Sequence, residues 1–202
     1  EGYLGNFTTT VETEGRTKVI QHGVSVLAIG ADVYKPTEYL YGENDNVYTH
    51  IDLGGEITKG NETILNAESL VMIQCVGSRN EEHNYCSRVC CGDAVKNAVK
   101  LKKANPDMRI YILFRDMRTY GFREDAYREA SELGVQFIRY SPEDPPTVEE
   151  AQEGGKDILR VTVPDPIMGQ RLELDADILS LAAAVVPSAS THKIASQFKV
   201  TL

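Results

Sequence analysis

All four cysteines of this 202-residue chain fall within IQCVGSRNEEHNYCSRVCC, residues 73–91. Ten residues separate Cys75 from Cys86, three separate Cys86 from Cys90, and Cys91 follows directly. Thiols grouped in this way could serve three chemistries. A structural zinc ion draws on pairs such as C-x2-C, and vicinal cysteines rarely both reach one small tetrahedral ion. Thioredoxin-like exchange wants C-x-x-C, which the chain lacks. A [4Fe–4S] cluster takes four thiolates at separate corners of a larger cube, so neighbouring cysteines can each reach an iron. Arg79, Arg88 and the first amides of a following helix would ease the charge of such a cluster. On spacing the cluster is favoured, with a redox thiol set and zinc still open. His83 stands among the cysteines, but with four thiolates present it reads as an exposed loop residue. His22, His50 and His192 are isolated and receive no role.

The elements around this loop have an α/β order. SLVMIQCV (Ser69–Val76) is a continuous apolar run, as a central parallel strand requires. After the cysteines, Val89, Val95, Ala98, Val99 and Leu101 suit one face of a helix ending near Asn105-Pro106. RIYILF (Arg109–Phe114) is a second strand, FREDAYREASELG a helix closed by Gly134, and VQFIRY (Val135–Tyr140) a third strand. This β-α-β-α-β order is half of a doubly wound, Rossmann-like nucleotide-binding fold. EDPPTVEEAQEGGK reads as an acidic loop. ILRVTVPDPIMGQRLELDA reads as a hairpin turning near Pro166–Gly169, and DILSLAAAVVP as a buried strand. Upstream, NFTTTVETEGRTKVIQHG predicts a hairpin about Glu14-Gly15. VSVLAIGA (24–31) predicts a short buried strand, and residues 35–65 a connecting loop with one helical turn.

Such a domain would normally bind a dinucleotide through G-x-G-x-x-G after its first strand. Here that turn offers only Gly77, and the cysteine loop occupies the place of the phosphate; G-x-G occurs nowhere in the chain. Arg115 and Asp116 then read as ordinary surface charges, and nicotinamide binding is disfavoured. The net charge of −9 argues against a nucleic-acid partner. No apolar run reaches the roughly 20 residues needed for a membrane span, and no signal peptide is evident, so direct membrane insertion is not expected and a cytoplasmic setting is. Because the chain opens Glu1-Gly2-Tyr3 without methionine, it reads as a piece of a longer polypeptide.

The segments IQCVGSR, YCSRVCC, AVKNAVKLK and YILFRDMRTYGFREDAYREASELGVQFIRY together resemble the A subunit of heterodisulfide reductase. GYLGNF (2–7) and EYLYGENDNVYTH (38–50) fit the same family, so the resemblance covers nearly the whole chain. It implies a flavin- and iron–sulfur-dependent oxidoreductase of anaerobic metabolism with a pyridine nucleotide-disulfide oxidoreductase-like fold. The partners it implies are other heterodisulfide reductase-type subunits and an electron-donating hydrogenase or dehydrogenase. Cys75, Cys86, Cys90 and Cys91 would each ligate one [4Fe–4S] cluster near FAD. Lys96 would take a catalytic place near the reducible edge of the flavin, and Ala28 and Gly30, in a degenerate VLAIGA segment, would approach FAD. The implied architecture is a partial FAD-domain segment over 1–65, a nucleotide-domain unit over 66–187, and a return segment over 188–202. Many relatives carry a ferredoxin-like insertion after the GNF segment. Only the turn around Glu14–Thr17 stands there in this chain. The glycine-rich half that holds FAD is also missing, so tight FAD binding by this piece alone is not expected. The alternative reading is a zinc- or thiol-bearing scaffold module without cluster chemistry.

Overall fold

The computed structural model describes residues 1–167 and 169–201. It divides into two compact units, one formed by Glu1–Ala31 with Pro187–Leu202 and the other by Asp32–Val186.

In the first unit β1 (Gly2–Tyr3), β2 (Asn6–Thr13) and β3 (Arg16–His22) form an antiparallel sheet. The turn at Glu14-Gly15 has φ of 52° and 74°, the double left-handed geometry of a tight hairpin. The predicted hairpin is therefore present. The predicted buried strand at 24–31 is not: those residues form no strand, and Val24 and Val26 are 75% and 84% exposed. An apolar run needs a ladder to join before it becomes a strand, and among the described residues this one has none.

The larger unit opens with β4 (Asp32–Val33), β5 (Val47–Thr49), α1 (His50–Lys59), α2 (Glu62–Leu65) and β6 (Ser69–Val76). It continues through α3 (Cys90–Ala104), β7 (Arg109–Phe114), α4 (Arg123–Glu132), β8 (Gln136–Arg139), β9 (Thr147–Glu153) and β10 (Lys156–Asp165). It ends with β11 (Gln170–Ala176), β12 (Ile178–Ala183) and β13 (Val185–Val186), and α5 (Thr191–Phe198) belongs to the first unit. The main sheet has strand order β5-β12-β6-β7-β8, and every neighbouring pair in it is parallel. Because successive side chains of a strand face opposite ways, Leu70 and Met72 of β6 join Ile110 and Ile112 of β7 against Leu53 of α1 and Ala94, Val95, Ala98 and Leu101 of α3. On the other face Val71, Ile73, Leu113, Leu179 and Leu181 pack against Leu159, Val161, Val163 and Leu174 of the antiparallel sheet β11-β10-β9. The α/β, Rossmann-like layering of helices, parallel sheet and antiparallel meander is as the sequence predicts.

Two connecting segments prove to be ordered elements. Residues 50–59 form a helix of nearly three turns, capped by Thr49, whose Oγ1 accepts from the Asp52 amide at 3.2 Å, and closed by Gly60 at φ 75°. Gly54 of α1 faces α3, where a Cβ would stand 3.4 Å from the Asn97 side-chain amide. The acidic loop is in part the edge strand β9, joined to β10 by Gly154-Gly155.

Candidate functional site

β6 delivers Cys75 to the carboxyl edge of the parallel sheet, and α3 begins at Cys90, so strand end and helix start bracket the loop 77–89. Its backbone is held in unusual conformations: Cys75, Arg79 and Arg88 have φ of 65°, 57° and 65°. Non-glycine residues held there cost ~1–3 kcal/mol each and concentrate at functional sites. Gly77, at φ 70°, is required twice over, because a Cβ would also come 2.2 Å from Cδ1 of Tyr34. The loop is pinned from within: His83 Nδ1 lies 2.8 Å from the Gly77 carbonyl, and its ring meets Tyr34 and Tyr85 edge-on. The Arg79 N–H donates to the carbonyls of His83 and Tyr85 at 2.8 and 3.1 Å. The Ser87 hydroxyl accepts from the Val185 amide at 2.9 Å, tying the loop to β13. His83 is therefore a half-buried strut of the loop rather than an exposed residue.

The four cysteines line one cavity, together with Gln74, Arg79, Arg88, Asp116 and Arg118. All four are free thiols. Among the described residues no group of three His, Cys, Asp or Glu side chains closes tightly enough to chelate a single ion. Burial dominates the acidity of Cys75, Cys90 and Cys91: it pushes Cys90 up to about 12, with the neighbouring cysteines adding to the effect. Burial also raises Cys75 and Cys91, opposed at Cys75 by Arg115 and Arg79. The Arg88 amide donates to Cys86 Sγ at 3.3 Å.

Arg115 and Asp116 are not ordinary surface charges. Asp116 accepts from Arg79 Nη2 at 2.7 Å and from Arg139 Nη2 at 3.3 Å, and the Arg79 hydrogen bond holds its carboxyl below the usual range. Arg115 donates from Nη1 to the Arg79 carbonyl at 2.9 Å, and the Arg115 carbonyl accepts from Arg139 Nε at 2.9 Å. These ties join the ends of β6, β7 and β8 over distances that sequence spacing does not reveal.

A second feature lies beneath the loop on the helix face of the sheet. His50 is wholly buried, with Nδ1 2.7 Å from Ser180 Oγ and Nε2 2.9 Å from Gln74 Nε2. With Gln74 donating to Nε2, the ring proton sits on Nδ1 and points to the serine. Burial drives His50 down to about 3, so it is a neutral imidazole at neutral pH.

Lys96 stands apart from the thiol cavity, on α3 beside Asp93 (Nζ to Oδ1 3.6 Å), in a recess with His50, Gly54 and Asn97. Ala28 and Gly30 lie in the other unit; Gly30 has φ 66°, and nothing lies within 4 Å of where its Cβ would be. Its glycine thus answers to backbone conformation within this chain.

No protein-family model matches the chain. It is 44% identical over 130 residues to the A subunit of the ferredoxin:CoB-CoM heterodisulfide reductase of Methanosarcina acetivorans, covering 63% of this chain and 16% of that protein. It is 36% identical over 200 residues to the iron-sulfur A subunit of the CoB–CoM heterodisulfide reductase of Methanocaldococcus jannaschii, covering 89% of this chain and 29% of that protein. It is 35% identical over 201 residues to the A subunit of the H2/formate:CoB-CoM heterodisulfide,ferredoxin reductase of Methanococcus maripaludis, covering 90% and 29%. The chain therefore spans less than a third of the length of these relatives. Among solved structures it is similar in fold to L-lysine 6-monooxygenase of Pseudomonas syringae, with TM-score 0.53 and 10% identity over 91% of this chain and 53% of that one. The ornithine N-hydroxylase of Kutzneria gives TM-score 0.50 and 12% identity over 92% and 51%. Over the stretch it shares with its relatives, the chain belongs to the family of heterodisulfide reductase A subunits.

Proposed function

We propose that this chain is the cluster-bearing segment of an electron-transferring flavoprotein oxidoreductase of the heterodisulfide reductase A type. The observation that carries the reading is the convergence of Cys75, Cys86, Cys90 and Cys91 on one cavity at a strand end and a helix start. The residues present fit a [4Fe–4S] cluster: they supply four sulfur donors, a helix N-terminus, and Arg79, Arg88 and Arg118 as counter-charge. Such a cluster, when bound, supplies one-electron transfer. The protein's own contribution is to hold four thiols in a loop fixed by Gly77, His83 and Ser87 and to limit water around them. The orphaned donor Arg79 Nη1 offers the cavity a cation and a hydrogen bond. Burial that keeps Cys75, Cys90 and Cys91 protonated in the absence of metal disfavours thiol exchange at those three, which depends on an available thiolate.

In the whole protein FAD would be the second cofactor, with the hairpin unit and the segment carrying Ala28 and Gly30 contributing to its domain. Lys96 would stabilise the anionic reduced flavin. The partners would be the other subunits of a heterodisulfide reductase-type complex and an electron-donating hydrogenase or dehydrogenase, in the cytoplasm. Among the described residues no helix is long and apolar enough to cross a membrane.

The test is anaerobic reconstitution with iron and sulfide, followed by metal analysis and EPR of the reduced sample. About four irons per chain, with a signal disturbed by each single cysteine-to-serine replacement, supports the reading. Stoichiometric zinc, or no metal with reversible oxidation of the vicinal cysteines, overturns it in favour of a scaffold module.

A further inference from the structure

Arg79 belongs to two cavities at once. It lines the thiol cavity, and it also lines an open recess of about 360 Å³ with Arg115, Asp116, Arg139 and Tyr140. Its place is unusually determined for an arginine following a strand. Its amide donates to two carbonyls, its own carbonyl accepts from Arg115, and its Nη2 donates to Asp116 at 2.7 Å. Asp116 is braced in turn by Arg139, whose Nε donates to the Arg115 carbonyl. The backbone of Arg79 sits at φ 57°, a conformation that persists only where the surroundings impose it. With so much fixed, one donor remains: Nη1 is buried and has no partner.

A buried guanidinium N–H without an acceptor is costly, and the remedy is an anion. The cavity that Arg79 lines offers such an acceptor once its sulfurs are ionised: Cys75, near the end of the strand that Arg79 follows, lines it with the other three cysteines. Arg118 lines the same cavity from an exposed position and lacks this scaffolding.

We propose that Arg79 is a positioning residue for the cysteine site, its Nη1 donating to the Cys75 sulfur when that sulfur is a metal-bound thiolate, with Asp116 and Arg139 aiming the guanidinium. This rests on the cluster reading of the four cysteines. A directed donor to a ligand sulfur stabilises the more negative, reduced state more than the oxidised one, so it raises the reduction potential. A planar, forked donor is required, because lysine would keep the charge and lose the direction.

The experiment is a redox titration of the reconstituted chain, followed by EPR, on wild type, Arg79→Gln, Arg79→Lys, Arg139→Gln and Arg118→Gln, with iron counted in each sample. In Arg79→Gln the reduction equilibrium should shift about tenfold toward the oxidised form, or ~59 mV for one electron. Arg79→Lys should follow glutamine rather than wild type, Arg139→Gln should fall between, and Arg118→Gln should stay near wild type. Equal shifts in Arg79→Gln and Arg118→Gln, or a lysine variant matching wild type, would reduce Arg79 to a general charge and overturn the proposal. An unchanged potential in Arg79→Gln with four irons retained also overturns it. Absence of iron from wild type overturns the cluster reading itself, and the iron count tells the two failures apart.

Discussion

Gly77→Ala tests whether the backbone geometry of the cysteine loop governs the site. Two costs add. At φ 70° a Cβ meets the left-handed penalty, ~1–2 kcal/mol for an ordinary residue. The new carbon would also lie 2.2, 2.4 and 2.8 Å from Cδ1, Cε1 and Cγ of Tyr34, so the body of the ring, not a flexible tip, must leave. A tyrosine ring covers roughly 200 Å², and releasing about half of that at ~25 cal/mol per Å² costs about 2.5 kcal/mol. The sum is roughly 4 kcal/mol, a fall in Tm of about 10 °C for a unit of this size. Urea and thermal unfolding followed by circular dichroism measure it. Tyr34→Ala separates the terms: with the ring already gone, adding Gly77→Ala should cost only the ~1–2 kcal/mol of backbone strain. A loss below ~1 kcal/mol for Gly77→Ala with Tyr34 in place would refute both the left-handed turn and the ring packed over it.

Other perturbations reach the remaining parts of the site. His50 is lowered from 6.5 to about 3, so its contribution to stability is present above pH 6.5 and is lost as pH falls toward 3. His50→Gln should flatten the stability-versus-pH curve in that window by up to one proton, ~1.4 kcal/mol per pH unit, relative to wild type in urea titrations. Cys90, raised to about 12, should resist iodoacetamide at pH 8 in metal-free protein. Labelling of its peptide, followed by mass spectrometry, should run ~1000-fold slower than that of an ordinary thiol. In the flavin-loaded whole protein, Lys96→Gln should make the flavin harder to reduce while leaving the iron content unchanged; equal flavin potentials in a spectroelectrochemical titration would remove Lys96 from that role.

Some of the fold was plain in the sequence and some was not, for definite reasons. Strands β6 and β7 coincide with their predicted limits because a central parallel strand is buried on both faces and reads as an unbroken apolar run. Helix α1 was hidden because two adjacent glycines and few apolar residues give it little intrinsic preference; its signals lie at its ends, in the Thr49 cap and Gly60. Strand β9, TVEEAQE, is an edge strand whose exposed carboxylates read as loop. Residues 24–31 gave the opposite error, since composition alone cannot supply a partner strand. At the site, the four cysteines were visible as a motif because they are close in sequence. Asp116 and Arg115 were not, because their partners Arg79 and Arg139 arrive from other strands. His50 could not be weighed without knowing that α1 carries it under Gln74.

The residues hidden from sequence spacing are the ones that set this junction apart from that of a dinucleotide-binding unit. In a dinucleotide-binding unit the turn after the first strand must be short and rich in glycine, so that backbone amides can approach a pyrophosphate. Here the same junction, from the end of β6 to the start of α3, is widened by residues 77–89 and turned through left-handed residues at Cys75, Gly77, Arg79 and Arg88. The helix N-terminus that would face phosphate oxygens begins instead with two cysteines. The position in many such domains that selects a nucleotide, just past the second strand, holds Arg115 and Asp116, and they brace Arg79. Binding a phosphate and holding thiolates ask the same thing of this corner of the fold, a positive field at the carboxyl edge of a parallel sheet. On the cluster reading proposed above, the scaffold would exchange one anion for the other by replacing a single loop while the sheet and helices behind it stay as they are.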